Sequence, residues 1–297
     1  LLGLTFVWAL AFVPYFATSL NLSQLLTQLS VDGIVALGMT ILMVSFGVDL
    51  SAGSTLALSG VVYALFQGVG IPIAMFLGVL VGALVGLVNG LVVTRMKVNF
   101  FIATLATMTG VRGLVLALSD SKTIYGSAQG FDWVGTHKIG PVEFPVIVFF
   151  SMAIIAHIIL AYTRLGRYWY AIGGNADAAR RLGLDVDKYF ALAFVVVGLC
   201  AGISGVLLAS RSSSGAPSVG QETALIAIAS TVVGGTSLYG GVGSIPGAVA
   251  GILLINLVRN SLILLGVSPY YQYVVQGLIL VGVVVMDAYF GARHGTA

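Results

Sequence analysis

The ionisable residues of this chain are few, and their placement limits the chemistry it can do. The stretch Arg164-Leu-Gly-Arg-Tyr-Trp-Tyr-Ala-Ile-Gly-Gly-Asn-Ala-Asp-Ala-Ala-Arg-Arg-Leu-Gly-Leu-Asp-Val-Asp-Lys188 holds five of the thirteen basic and three of the ten acidic residues. Charge concentrated in one mid-chain segment is the chemistry of recognition, because guanidinium groups meet carboxylates on a soluble partner. Asp49 and Arg112 stand inside or beside apolar runs, where an unpaired charge is costly. Theirs is the chemistry of a gate, a pathway or a buried pair. No set of residues has the pattern of nucleophile, base and orienter. No Cys/His cluster has metal-ligand spacing. The glycine-rich Gly241-Val-Gly-Ser-Ile-Pro-Gly247 lacks the lysine of a phosphate loop and opens an apolar run instead of following a strand. The sequence therefore points to no catalysis, no cofactor and no metal.

Composition says what surrounds these groups. Apolar residues make up 59% of the chain and charged residues 8%, with a mean hydropathy of +1.07. Soluble domains carry about 25% charge, so this chain cannot cover a soluble surface, and a lipid bilayer must be part of its solvent. The net charge of +3 is small, and the basic residues gather at the ends of apolar runs. That pattern sets topology and argues against nucleic acid as a partner. The single cysteine, Cys200, lies inside an apolar run, which excludes an internal disulfide. The first apolar run is too long for a cleaved signal peptide and lacks its flanks, so it reads as a span.

A spanning helix needs about 20 apolar residues. Candidates fall at 1–18, 31–46, 54–68, 71–93, 100–118, 143–162, 189–210, 223–238, 246–265 and 270–290. The expected fold class is all-α: a single transmembrane domain over 1–297 with about ten helices, some of them broken or re-entrant. The runs at 31–46, 54–68 and 223–238 are short. They meet the junctions Gly47-Val-Asp-Leu-Ser-Ala-Gly-Ser54 and Gly234-Gly-Thr-Ser-Leu-Tyr-Gly-Gly-Val-Gly243, as broken helices lining a cavity do. Arg95, Lys97, Arg164, Arg167, Arg180, Arg181, Lys188 and Arg293 fall on one face of such an arrangement, and Lys122, Lys138, Arg211 and Arg259 on the other. This asymmetry places both termini and the 164–188 loop inside, and the 119–142 segment, with Pro141, outside as a short folded loop. Glycines recur every fourth residue at Gly78, Gly82, Gly86 and Gly90, at Gly198 and Gly202, and at Gly243, Gly247 and Gly251. Such faces let helix backbones approach closely, within one subunit or at a seam between two.

Within the central loop, Asn175 is placed to cap a helix starting near Ala176, and the run to Leu182 is a good helix former. Gly173 and Gly174 permit a tight turn into it. A short helix along the membrane face suits a groove in a soluble subunit. Its contact residues would be Tyr170, Gly173, Gly174, Asn175, Ala178, Ala179, Arg180 and Arg181, with the two arginines meeting carboxylates on the partner. The plainer alternative is a solvated loop whose arginines only set topology. Tyr168, Trp169 and Tyr170 read as aromatics at the headgroup level.

Asp49 precedes Ser51 where a helix restarts. It is either a capping carboxylate or, with Ser51 and Ser54, part of a pathway or gate. Arg112 must find a carboxylate, carbonyl oxygens, water or substrate. Asn89, Thr94, Thr104, Thr107, Thr109, Asn256 and Asn260 put polar groups within or beside spans, where they bond neighbouring helices or line a pore. Asn89, Thr104, Thr107 and Asn256 are the pore candidates. Gln221 and Glu222 stand at the outer mouth of the eighth span, as docking residues or as a solvated rim. His157 is alone in an apolar run and reads as a packed residue; His137 and His294 belong to loop and tail.

Several passages together resemble the permease subunits of ribose-type monosaccharide importers of the ATP-binding-cassette class. They are Asn21-Leu-Ser-Gln-Leu-Leu-Thr-Gln-Leu-Ser-Val-Asp-Gly-Ile-Val-Ala-Leu-Gly-Met-Thr40 with the Gly47–Ser54 junction, and Thr163-Arg-Leu-Gly-Arg-Tyr-Trp-Tyr-Ala-Ile-Gly-Gly-Asn175 with Ala178-Ala-Arg-Arg-Leu-Gly-Leu184. Phe101-Ile-Ala-Thr-Leu105, the pair Arg112-Gly113, Val233-Gly-Gly-Thr-Ser237 with Gly240-Gly241, and Leu265-Gly-Val-Ser-Pro-Tyr-Tyr-Gln272 extend it over essentially the whole chain. The resemblance implies a bacterial inner-membrane permease paired with a second copy or paralogue. Two cytoplasmic ATPase domains would power it, and a periplasmic sugar-binding protein would deliver substrate. The 164–188 loop would then be the cytoplasmic coupling element, 119–142 a periplasmic loop, and Gln221 and Glu222 periplasmic docking residues. One rival is a permease of the same architecture for branched-chain amino acids or nucleosides. Another is an ion-driven secondary transporter, which would need carboxylates within the spans as ion sites; apart from Asp49 the spans are nearly empty of them, which argues against it. A purely structural membrane protein is disfavoured by the polar groups inside several spans.

Overall fold

Apolar runs become helices here because lipid offers no water to satisfy the backbone, so each segment must close its own hydrogen bonds. The computed structural model describes residues 2–293. Five helices come first: α1 (Leu2–Phe12), α2 (Ser19–Val44), α3 (Ala52–Leu65), α4 (Ile71–Arg95) and α5 (Phe100–Leu118). A folded loop follows, with β1 (Ile124–Tyr125), α6 (Trp133–Thr136), β2 (Lys138–Ile139) and β3 (Val142–Glu143). The chain continues through α7 (Phe144–Tyr162), α8 (Arg164–Arg181), α9 (Val186–Arg211), β4 (Ser214–Gly215), α10 (Thr223–Val233), α11 (Ile245–Leu264) and α12 (Pro269–Arg293). Among the described residues, α2, α4, α5, α7, α9 and α11 are long and apolar enough to cross a membrane; α1, α3 and α10 are shorter apolar helices. The molecule is a helical, polytopic membrane protein.

Two expected boundaries change. The run at 1–18 is helical only to Phe12, and Tyr15 then takes a left-handed φ of 60° in a turn. The run at 31–46 is not a short segment but the second half of α2, which has 26 residues. Thr18 caps α2 by accepting from Asn21 N at 3.3 Å. The polar residues between Asn21 and Asp32 sit on this helix, where Asn21, Thr27, Ser30 and Asp32 are buried, Ser23 and Gln28 half-buried and Gln24 exposed. Low apolar density there marks a buried polar face, not a loop.

From Leu29 to Val44 every residue of α2 is buried, so this helix forms the middle of the bundle. The glycine ladder of α4 lies against α9. A methyl added at Gly82 would sit 2.5 Å from Gly198 O and 2.7 Å from Gly202 Cα, and one at Gly90 would sit 2.8 Å from Ala191 O. These glycines therefore serve close approach inside one chain. Gly247 and Gly251 do the same between α10 and α11, against Gly234 and Ser230.

Contacts sort the loops into two ends. At one end Gly241 N donates to Val44 O at 2.9 Å, Lys97 pairs with Asp187 at 2.7 Å, and α8 lies across the helix ends. At the other, β1 pairs with β4 and β2 with β3, both antiparallel. There Tyr63 donates to Phe131 O at 2.6 Å and stacks on its ring at 4.4 Å, which pins the 119–142 segment to the bundle. Following the helix directions, Arg95, Lys97, Arg164, Arg167, Arg180, Arg181 and Lys188 fall at the α8 end. Lys122, Lys138, Arg211 and Arg259 fall at the opposite end. The helix α12 runs toward the α8 end, carrying Arg293 there; His294 lies outside the described residues.

Candidate functional site

The α8 region is two helices joined at a break. Asn175 leaves helical geometry (φ −162°, ψ 100°), and its Oδ1 accepts from Ala178 N at 2.9 Å, which caps the second piece. Gly183, at φ 86°, ends it. The piece from Ala176 to Leu182 projects, with Ala178 and Arg181 exposed and Leu182 89% exposed. It rests on a small apolar cluster of Ile172, Ala179 and Val186, so Ala179 faces its own chain rather than a partner.

Three further expectations about this region are corrected. Gly173 and Gly174 make no tight turn, since both are helical. Gly173 is needed for close approach instead: a methyl there would meet Val44 O and come within 2.5 Å of Gly241 N, whereas Gly174 faces open space. Arg180 already holds Asp187 at 2.9 Å and Asp177 at 3.8 Å, so its carboxylates come from this chain. The three aromatics are not a headgroup belt. Trp169 is 1% exposed and donates through Nε1 to Tyr189 O at 2.9 Å. Tyr170 donates to Gly243 O at 2.7 Å, and burial pushes its phenol pKa up. Tyr168 packs on Tyr189 at 4.8 Å. Together these contacts bolt α8 to the end of α2, the start of α9 and the 234–244 junction.

Asp49 is 1% exposed between α2 and α3. Its Oδ1 accepts from Ser51 N at 2.8 Å and Ser51 Oγ at 2.6 Å; Asn89 Nδ2 reaches both carboxylate oxygens at 3.3 Å and Ser51 Oγ at 2.8 Å. The carboxylate thus ties the α2–α3 junction to α4, while Asn89 Oδ1 has no hydrogen-bond partner among the described residues.

Near the first turn of α3 the chain returns. Gly53 packs on Gly220, and α10 starts beside it. Arg112 Nη1 donates to Pro217 O at 2.6 Å and Val219 O at 3.0 Å, holding this returning segment in place. A cavity of about 510 Å³ opens there, lined by Ser54, Thr109, Arg112 and Gln221 among others. At 1.5 Å per residue, the 14 residues of α3 separate this point from the loop end by about 20 Å. Gln221 and Glu222 are therefore set deep against α3, not at an outer rim.

The other candidates do not join one constellation. Thr94 and Thr104 are buried and donate to their own helices, to Gly90 O at 2.7 Å and Phe100 O at 2.8 Å. Thr107 is half-buried on α5. His157 packs edge-on to Tyr162 at 5.7 Å, and His137 stacks on Trp133 at 4.6 Å.

Sequence reasoning missed a group around the first half of α2. Asp32 is 4% exposed in mid-helix, a second buried carboxylate besides Asp49. Gln28 Nε2 donates to it at 3.2 Å, and Arg259 is the cation that acts on it. Asn256 is 3% exposed nearby on α11. At the loop end, Glu143 accepts from Thr27 at 2.6 Å and Ser23 at 3.1 Å and lies 3.6 Å from Lys138. Burial pushes its pKa up, but these hydroxyls and the charges of Arg211 and Lys138 outweigh it and hold the carboxyl below its ordinary range. The available signal was the spacing of Asn21, Gln24, Gln28 and Asp32, which is that of one helix face.

Long helices beside short, apposed ones, with buried polar groups at the breaks, define a polytopic membrane permease. Its family is shown by comparison. The chain belongs to the family described as branched-chain amino acid transport system / permease component, whose model matches residues 21–284. It is 38% identical over 286 residues to the ribose import permease protein RbsC of Haemophilus influenzae, covering 94% of this chain and 88% of that protein. It is 41% identical to the L-arabinose transport system permease protein AraH of Escherichia coli, over 96% of this chain and 87% of that one. The D-allose transport system permease protein AlsC of Escherichia coli is 38% identical over 92% of this chain, matching 85% of its own length. No solved structure matches the chain.

Proposed function

We propose that this chain is the membrane-spanning permease subunit of an ATP-driven importer that carries a monosaccharide into the bacterial cytoplasm across the inner membrane. The family description names branched-chain amino acids, but relatives at 38–41% identity over nearly the whole chain are named for ribose, arabinose and allose. That weighs toward sugars. The nine apolar helices and α12 span or enter the membrane, with α3 and α10 as half-length, re-entrant pieces that approach where Gly53 packs on Gly220. The α8 end and both termini are cytoplasmic, where the basic excess falls. The loop end is periplasmic and receives the sugar-binding protein. A second copy or paralogue completes the pore, and separate ATPase subunits hydrolyse ATP.

The observation that carries the coupling role is the exposed tip of α8 on a rigid mount. Leu182, Ala178 and Arg181 face outward, while Trp169, Tyr170 and Gly173 lock the same helix to α2, α9 and the 234–244 junction. A push on the tip therefore reaches the spans without slack. Ala178→Asp with Leu182→Asp should abolish co-purification of the ATPase and cut sugar uptake at least about tenfold, the loss of an apolar anchor worth roughly 1.5–3 kcal/mol. Gly174→Val should be tolerated, whereas Gly173→Val should impair uptake by displacing α8 from Val44. Wild-type uptake and ATPase retention in the double aspartate variant would remove α8 as the coupling element.

A further inference from the structure

The mount of α8 and its tip are separate pieces. Trp169, Tyr170 and Gly173, which fasten α8, all precede the break at Asn175, and the tip from Ala176 to Leu182 follows it. At its far end the tip turns away through Gly183 at φ 86°, where Gly183 N and Leu184 N donate to Arg180 O and Ala179 O. A short helix with a break on one side and a left-handed glycine on the other would swing on its joints unless something spans them. Two things do. One is the apolar cluster of Ile172, Ala179 and Val186. The other is a chain of charges.

Arg180 Nη2, on the tip, donates to Asp187 Oδ1 at 2.9 Å, and Lys97 Nζ donates to Asp187 Oδ2 at 2.7 Å. Each oxygen of one carboxylate therefore serves a different element: Oδ1 the tip, Oδ2 the turn between α4 and α5. Asp187 itself stands in the first turn of α9, where the helix dipole favours negative charge. The neighbouring carboxylates are used differently. Asp185 caps α9 by accepting from Lys188 N at 3.1 Å, and Asp177 lies on the tip itself, 3.8 Å from Arg180. Lys97 takes a left-handed φ of 57° between the end of α4 at Arg95 and Asn99, which caps α5 by accepting from Phe101 N at 2.8 Å. So short a turn leaves little slack between Lys97 and α5. On α5, Thr109 and Arg112 line the cavity of about 510 Å³ shared with Ser54 and Gln221. Exposed ion pairs add little stability, and these side chains are 36–64% exposed. What two short contacts on one carboxylate fix is relative position.

We propose that Asp187 is a positioning residue for transport: with Arg180 and Lys97 it forms an electrostatic strut that makes the hinged tip of α8, the start of α9 and the α4–α5 turn move together. This rests on the reading of α8 as the coupling element and assigns the path by which it acts. A displacement of the tip by the ATPase passes through Arg180 to Asp187 and on to Lys97, and so to the α5 wall of the cavity. Removing the strut leaves the tip docked but lets its joints absorb the motion.

The test uses the importer reconstituted in liposomes with its ATPase and sugar-binding protein, and reads the sugar taken up per ATP hydrolysed. Asp187→Asn and Lys97→Met should each keep the ATPase, its basal hydrolysis rate and the thermal midpoint. Both should lower the uptake ratio about fivefold, the factor carried by a coupling of about 1 kcal/mol. Lys97→Arg, which retains the charge, should stay at the wild-type ratio. A wild-type ratio in both Asp187→Asn and Lys97→Met would overturn the strut. So would loss of the ATPase from Asp187→Asn, which would make Asp187 a docking contact. The variant carrying Ala178→Asp with Leu182→Asp separates the strut from the coupling reading. If that variant loses its ATPase while Asp187→Asn transports normally, α8 couples and the strut is wrong. If it keeps its ATPase and its uptake, the coupling reading falls and the strut with it.

Discussion

Glu143 shows how a single carboxylate ties the loop end together. It joins Thr27 and Ser23 of α2 to the β2–β3 ribbon and Lys138. Its folded pKa lies below the ordinary 4.5, so the unfolded chain binds the proton more readily. The stability it contributes is complete above about pH 4.5 and is lost as pH falls through the depressed folded value. Glu143→Gln should lower the thermal midpoint in detergent at neutral pH and flatten the decline as pH falls below about 4.5. Parallel pH profiles for the two proteins would show that this contact contributes nothing. Asp49 plays a comparable part at the α2–α3 junction, where it takes three donors from two residues and holds two helices at one point.

Helices in lipid gain no hydrophobic drive from burying leucine against leucine, so close backbone approach matters more. The α4–α9 seam rests on this. A methyl at Gly82 would come within 2.5 Å of backbone on α9, whereas Gly110 on α5 has nothing within 4 Å. Gly82→Leu should therefore destabilise the protein by about 1–3 kcal/mol through overpacking. Gly110→Ala should be neutral or stabilising by up to about 1 kcal/mol, since a helical glycine loses more backbone entropy on folding than alanine does. Thermal unfolding in detergent separates the two. Equal effects at both positions would mean the seam tolerates repacking.

For the molecule as a whole the testable property is sidedness. Seven described basic residues lie at the α8 end against four at the loop end, with Arg293 following α12 to the α8 end. Single cysteines at Ser127 and Ala178, both exposed, in a Cys200→Ala background should differ toward a membrane-impermeant thiol reagent on whole cells. Ser127→Cys should label and Ala178→Cys should not. The reverse result would invert the topology and make α8 inaccessible to a cytoplasmic ATPase.

The apolar helices, the charged mid-chain segment and the capping role of Asn175 were legible from the chain alone. Those signals are local: apolar run length, charge count and the reach of one side chain to an amide three residues on. The glycine ladder was legible too, but not which helix would meet it. Close approach is a property of two surfaces, and only the fold brings Gly82 to Gly198 and Gly202. Arg112 could be read as needing oxygen partners, yet Pro217 and Val219 are about a hundred residues away in the chain. The first half of α2 was hidden for the same reason. Its polar face looks like a loop when measured by hydropathy and becomes a helix face once Asn260 and Glu143 are there to receive it. Sequence determined which segments must leave water. Tertiary structure decided which polar groups could go with them, because a buried polar atom is tolerated only where another element supplies its partner.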